Sequence, residues 1–547
     1  MIDGLDFLIG LPFCLTAALM TVLAARIPLH LLQLESYQLP GYRRAVGDNI
    51  IRALMPGVAC AMFSAAVFGL ASLGFMWYAR PRALTMRDAW VFMWMAAAML
   101  VSLGGGVAVE LYIRKKPTKK PLVVTGRVKR LIVSLGAVTF AIACLMAFVP
   151  RWVGAVPLLP IFTPGLAALA ALCSEPVEKR INNRFFKDAQ RMLSERPDLI
   201  KIGITGSYGK TSTKFILAAI LGEKYNVLAT PSSFNTSMGV TRVIREQLKP
   251  EHQAFIAEMG ARHVGDIKEL CELVRPSIGI ITSVGPQHLE TFKSQDNIAN
   301  TKYELIENLP DDGHAVFIAD GAIAEGLYNK TDKPRKHLSG ERVGGEGVKA
   351  ESITSGPWGS RFTIVFADGT RTACETKLLG EHNINNLLLA ATVAKLLGLT
   401  PERIATGIAK AQPVEHRLQL LPGANGVTVI DDAFNSNPAG SRAALAVLRE
   451  FPQRRVLVTP GMVELGDEQD ALNREFGGSM LGAVDIVILV GVKRAQPILD
   501  GLKAAGFDES SIHLAEDLKA AQEILSKILK PGDTVLFEND LPDNYQS

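Results

Sequence analysis

The stretch IKIGITGSYGKTST, Ile200–Thr213, decides how the chain beyond residue 200 is read. A β-branched run ends at Thr205. A turn then passes through Gly206, Ser207, Tyr208 and Gly209, and Lys210, Thr211 and Ser212 lead into the helix-prone run TKFILAAIL. Glycines in such a turn let backbone amides close around an anion at the helix N-terminus, where the helix dipole also favours negative charge. A lysine there reaches the terminal phosphates, and the hydroxyl after it suits Mg²⁺. The general form GxxxxGK[ST] is not met, because Ile204 stands at its first glycine.

Outward from this loop, FIAEMG, IGIITSV, AVFIAD, VTVIDD, RRVLVTP, DIVILV and TVLFEN read as buried strands with amphipathic helices between several of them. That alternation predicts an α/β protein with mainly parallel sheets. Two units are expected, 200–413 and a smaller one over 414–547.

Upstream the texture is different. Uncharged runs occupy 7–25, 53–79, 89–109, 131–150 and 152–174, each close to the roughly 20 residues a helix needs to cross hydrocarbon. Asp3 and Asp6 ahead of the first run argue against a signal peptide. Pro157, Pro160 and Pro164 should kink the fifth run or make it re-entrant. Basic residues gather between the first and second runs (Arg26, Arg43, Arg44, Arg52) and between the third and fourth (Arg114 to Arg130). Five spans with these loops inside put the N-terminus outside and the chain after about residue 175 in the cytoplasm. Residues 1–175 are thus expected to be an α-helical transmembrane domain. Residues 31–42 would lie along the interface, and 176–199 would form a connector helix whose basic residues meet lipid head groups.

Composition agrees with a hybrid: 48% hydrophobic, 20% charged, and a mean hydropathy of +0.20. The net charge of +4 gives no reason to expect a nucleic-acid partner. The six cysteines form no CxxC pair and read as small buried hydrophobes of a reducing compartment.

The form TGxxGKT resembles the nucleotide loop of the Mur ligases, and further segments resemble theirs in the same order. These are FNTSMGV (234–240), AEMGARHVGDI (257–267), ITSVGPQHLETF (281–292), TKYELI (301–306), GEHNINNLLLA (380–390), EHRLQL (415–420), IDDAFNSNP (430–438) and GMVELG (461–466). Within the family they are most similar to the branch that adds D-alanyl-D-alanine in peptidoglycan synthesis. The resemblance implies a P-loop ATPase-type central domain and a Rossmann-like C-terminal domain, with ATP and Mg²⁺ as cofactors. It also implies an ATP-dependent acid–amino acid ligase: a substrate carboxylate becomes an acyl phosphate, and an amine displaces the phosphate to leave an amide. Such work is mostly positioning and charge neutralisation.

Carried onto this sequence, the resemblance makes Thr211 and Glu258 ligands of one magnesium. His288 and Lys302 would serve a second, the lysine as a carbamate. Lys210, His288, Lys302 and Arg417 become the catalytic set, and Gly206 to Ser212 the phosphate cradle. Asn385 would meet adenine, although it could equally be a helix N-cap. Arg417 would clamp the γ-phosphate, Asp431 or Asp432 would take the ribose, and Asn235 would touch substrate. His382 and His416 read as structural.

The family's uridine-nucleotide-binding N-terminal domain has no counterpart, and apolar runs stand in its place. The expectation is therefore a multi-pass ligase of the bacterial inner membrane, with an amino acid or short peptide as amine. Its acceptor carboxylate would sit on an undecaprenyl-linked or similar envelope precursor, and membrane lipids would be further partners. The alternatives are a polymerising ligase like the poly-γ-glutamate synthases, or an ATP-binding transport or regulatory protein that no longer ligates.

Overall fold

The computed structural model describes residues 4–78, 89–115, 121–147, 149, 153–232, 234–285, 289–319, 321–341, 347–434, 436–463 and 465–539. His288 and the Arg80, Arg82 and Arg87 loop fall outside this set. The chain divides into two compact units, one reaching Asn182 and the other Asn183–Leu541.

The first unit is helical. Helix α1 (Gly4–Ala24) bends by 50° into α2 (Arg26–Leu34), and α3 (Leu39–Asp48), α4 (Ile50–Tyr78), α5 (Ala89–Arg114), α6 (Gly126–Ala147) and α7 (Thr163–Ser194) follow. Among the described residues, Ile50–Gly69, Ala96–Arg114, Gly126–Ala147 and Gly154–Ser194 are long and apolar enough to cross a membrane. The bent α1–α2 pair makes a fifth if it is taken as one span. Large apolar side chains point outward, Leu100 and Val133 each being about 70% exposed. The segment expected as a connector helix is helical to Ser194 and continuous with the apolar run before it, α7 running unbroken through Pro176. The kink-forming Pro157 and Pro160 instead lie in a 3₁₀ segment, Val153–Phe162, ahead of α7.

Among the described residues the second unit holds three sheets. In chain order, β1 (Ile200–Thr205), β2 (Val227–Ala229), β3 (Ala254–Glu258), β4 (Ile278–Ile281), β5 (His314–Ile318) and β6 (Lys336–Ser339) form an all-parallel sheet ordered β2-β3-β1-β4-β5-β6. Strands β7 (Lys349–Gly356), β8 (Gly359–Val365) and β9 (Arg371–Thr376) make an antiparallel sheet that the sequence did not lead one to expect. Strands β10 (Gln419–Pro422), β11 (Thr428–Asp432), β12 (Arg455–Thr459), β13 (Ile486–Val490), β14 (Ile512–Ala515) and β15 (Thr534–Glu538) are ordered β10-β11-β15-β12-β13-β14, with only β10 antiparallel.

In the first sheet the chain leaves β1 towards β2 and β3 and later returns on the other side of β1 to β4. The loop after β1 therefore lies where the strand order reverses, which is where open α/β sheets bind ligands. It leads into α8 (Lys210–Leu221), which packs on the buried helix Glu381–Leu396 and on Pro401–Lys410. The last approach is close: a Cβ on Gly407 would lie 2.5 Å from the Ile220 Cα.

Candidate active site

The phosphate loop is shaped by two glycines. Gly206 has φ +151°, and a Cβ there would strike Thr282 Oγ1 at 2.0 Å; Gly209 has φ +80°, and a Cβ would meet Asn386 Oδ1 at 2.6 Å. The turn is braced by the segment after β4. The Ser207 and Tyr208 amides donate to Ser283 O at 2.8 and 3.1 Å, and Thr282 Oγ1 donates to Tyr208 O at 2.6 Å. The Thr213 amide donates to Gly209 O at 2.8 Å. The amides ahead of it point out of the helix end, as an anion site needs. Lys210 Nζ curls over the loop and donates to Gly206 O at 2.6 Å and Ser207 O at 2.9 Å. Burial lowers its pKa to about 8, with Glu258 pulling the other way.

Glu258 ends β3, paired in register with Ile204. Its carboxylate accepts Thr211 Oγ1 at 3.2 Å, Asn235 Nδ2 at 3.1 Å and Lys214 Nζ at 2.9 Å. Burial alone would raise this carboxyl, but Lys214 and Lys210 outweigh it and hold the group below its usual range. Asn235, expected to touch substrate, thus has its amide on Glu258. Lys214 is fully buried and also donates to Ser232 O at 2.7 Å. Sequence reading passed over it, although a lysine four residues after Lys210 shares its helix face.

A Thr hydroxyl and a carboxylate oxygen side by side are hard donors of the kind Mg²⁺ takes while keeping several waters. Among the described residues no three His, Cys, Asp or Glu gather as a denser metal site. Lys302, on the helix Gln295–Glu307, is 3% exposed, with its ammonium 5.7 Å from the Phe292 ring centre. Burial and then Lys210 lower its pKa to about 7.

Arg417 lies over the Phe434 ring at 4.5 Å. Together with Thr211, Phe215, Ser232 and Glu415 they line a cleft of about 500 Å³. Ser212 lines a smaller recess with Asn383 and Arg417. Asp431 Oδ2 meets His416 Nδ1 at 2.8 Å, and Asp432 Oδ1 accepts the Leu418 amide at 3.1 Å. Burial raises Asp432 to about 6. Asn385 is not an N-cap; Gly380 holds that position, and Asn385 Oδ1 accepts the Glu341 amide at 3.2 Å. Its neighbour Asn386 accepts Thr213 Oγ1 at 3.1 Å and so braces α8. Also unread in the sequence was Glu538, buried at the end of β15, which accepts Thr459 Oγ1 at 2.7 Å and a bond from Ser436.

The Mur ligase middle domain matches residues 204–394, and the Mur ligase glutamate ligase domain matches 416–538. The UDP-N-acetylmuramoyl-tripeptide–D-alanyl-D-alanine ligase of Mycobacterium bovis is 34% identical over 365 residues, which cover 62% of this chain and 69% of that one. The chain belongs to the Mur ligase family. The ligase of the same name from Bacillus subtilis is 30% identical, covering 62% of this Mur ligase and 72% of the relative. Crystal structure I of MurF from Acinetobacter baumannii superposes with a TM-score of 0.60 at 25% identity, over 66% of this chain and 78% of that one. This Mur ligase is accordingly an ATP-dependent carbon–nitrogen ligase with ATP and Mg²⁺ as cofactors.

Proposed function

We propose that this Mur ligase is membrane-embedded and joins an amino acid or short peptide amine to a carboxylate of a lipid-linked, peptidoglycan-type precursor at the cytoplasmic face. The observation that carries the ligase chemistry is the convergence of Lys210, Thr211 and Glu258 at the ends of β1 and β3. The membrane reading is supported by the apolar helices of the first unit and their outward apolar side chains.

In this reading the free amides at the N-terminus of α8 and Lys210 hold the ATP phosphates. The acceptor carboxylate attacks the γ-phosphorus and ADP leaves. The amine then attacks the acyl phosphate carbonyl, and phosphate departs from the tetrahedral intermediate to leave the amide. Thr211 and Glu258 would hold magnesium, which supplies charge neutralisation at the phosphates. Lys210 and Arg417 stabilise negative charge that grows in the transition state. Asn235 and Lys214 keep the Glu258 carboxylate oriented and ionised. His288 would join Lys302, as its carbamate, at the second metal. Asn385 would take adenine and Asp431 or Asp432 the ribose.

The test is mass spectrometry of precursor pools in cells expressing the wild type or Lys210→Ala. A mass gain of one amino acid or short peptide is expected in the lipid-linked fraction only, reduced by roughly 10³-fold in the variant. A gain in the nucleotide-linked fraction would overturn the lipid-linked acceptor. Membrane embedding is checked separately: the chain should stay with membranes through alkaline carbonate washing, and its release would overturn that part.

A further inference from the structure

A groove of about 800 Å³ opens in the helical unit, among α2, α4 and α5. Its charged lining comes from three arginines that the topology brings to one end. Arg26 opens α2 just after α1 ends, Arg52 lies in the first turn of α4, and Arg114 closes α5. Arg26 Nη1 is paired with Glu110 Oε1 at 3.1 Å. Arg52 and Arg114 are exposed and have no ion pair among the described residues. The deeper wall is apolar. Ala59 and Phe63 follow Arg52 along α4, about 10 and 16 Å further at 1.5 Å per residue. Gly105 faces them from α5, where a Cβ would strike the Phe63 ring at 2.7 Å. The two helices thus pinch the groove at its far end.

A cationic mouth above an apolar trough matches an amphiphile with an anionic head. The charge count narrows the class further. With Arg26 neutralised by Glu110, Arg52 and Arg114 supply two positive charges among the described lining residues, which a phosphodiester with one negative charge leaves half-compensated. A terminal phosphate monoester carries close to two negative charges near neutral pH, and guanidinium groups bind phosphate through paired donors. Basic pockets between helices on the cytoplasmic side of a membrane recognise lipid head groups in this way.

We propose that this groove binds a single-chain membrane lipid ending in a phosphate monoester. The phosphate sits among Arg26, Arg52 and Arg114, and the hydrocarbon lies along Ala59, Phe63 and Gly105. The proposal rests on the membrane reading above and goes beyond it, because a free phosphate monoester is not the esterified phosphate of a lipid-linked precursor.

The experiment is equilibrium binding of labelled farnesyl phosphate to the full-length protein in detergent. Saturable one-to-one binding is expected. It should weaken at least tenfold in Arg52→Ala and in Arg114→Ala, exposed sites whose folding is confirmed by circular dichroism and elution volume. Ala59→Phe, which fills the trough, should weaken farnesyl phosphate equally. Neither phosphatidylglycerol nor inorganic phosphate should compete at the same concentration. Displacement by phosphatidylglycerol would mean a bulk-lipid site, and displacement by inorganic phosphate a free-anion site; either overturns the proposal. So does unchanged affinity in the Arg52→Ala, Arg114→Ala double variant. Release by carbonate washing would sink the membrane reading itself, whereas a membrane-retained protein that binds no farnesyl phosphate sinks the groove alone.

Discussion

At the scale of single residues, two lysines are buried in different surroundings. Lys214 is the permanent counter-ion of Glu258, and breaking a buried pair from one side leaves an uncompensated charge that costs about 3–5 kcal/mol. Lys214→Met should therefore lower thermal stability sharply in Mg²⁺-free buffer. The loss should shrink when Mg²⁺ is added, because the cation takes over the freed carboxylate. A loss of the same size with and without Mg²⁺ would show that Glu258 is not a metal ligand. Lys302 has no carboxylate within ion-pair distance among the described residues, and its pKa near 7 leaves a neutral fraction able to take up CO₂. Lys302→Ala should cut turnover on the order of 10²-fold, with acetate or formate restoring part of it. Failure of added carboxylates to restore activity, in a variant that still binds ATP, would count against the carbamate.

At the scale of elements, Glu538 sits where β11, β12 and β15 end together. Burial lifts its carboxyl from the ordinary 4.5 to about 7, against the hydrogen bonds from Ser436 and Thr459. A carboxyl raised by folding keeps its proton in the native state, so its contribution is whole below the unfolded pKa and is lost as pH rises through the folded one. Glu538→Gln should match the wild type near pH 4 and exceed it by about 3 kcal/mol near pH 8, read from thermal unfolding across that range. A constant difference would refute the shift.

The strands that carry the site were legible because they are short β-branched runs with buried faces, as in Ile200–Thr205 and Thr534–Glu538. The β7–β9 sheet was not. Lys349–Gly356 mixes charged and small residues, and its register shifts between Glu351 and Thr354, so no clean alternation survives. The P-loop could be read from local pattern, whereas Glu258 was reached only through the resemblance of its segment to the Mur ligases. The bonds from Asn235 and Lys214 to Glu258, and the Asn386 brace, depend on residues distant in sequence and emerge only when the strands assemble.

For the molecule as a whole, the division at Asn182 and Asn183 predicts two calorimetric transitions. In the proposed reading nucleotide with Mg²⁺ binds the second unit, so it should move one of them. Ligand at 100 times its Kd is worth about 2.7 kcal/mol. One merged transition, or an equal shift in both, would show that the units unfold as one. The sign of the mean hydropathy, +0.20, reflects this composite, with an apolar helical unit joined to an α/β ligase of ordinary polarity.

The Ser283 carbonyl that captures the Ser207 and Tyr208 amides has a kinetic meaning. A nucleotide loop free in solution would have to be ordered during each encounter, and that ordering would slow capture. Here the turn is already tied to the strand beside it, so the cradle keeps its shape between turnovers. ATP arrival is then limited by diffusion, and the observed rate should climb in proportion to nucleotide concentration instead of levelling off at a loop-folding step.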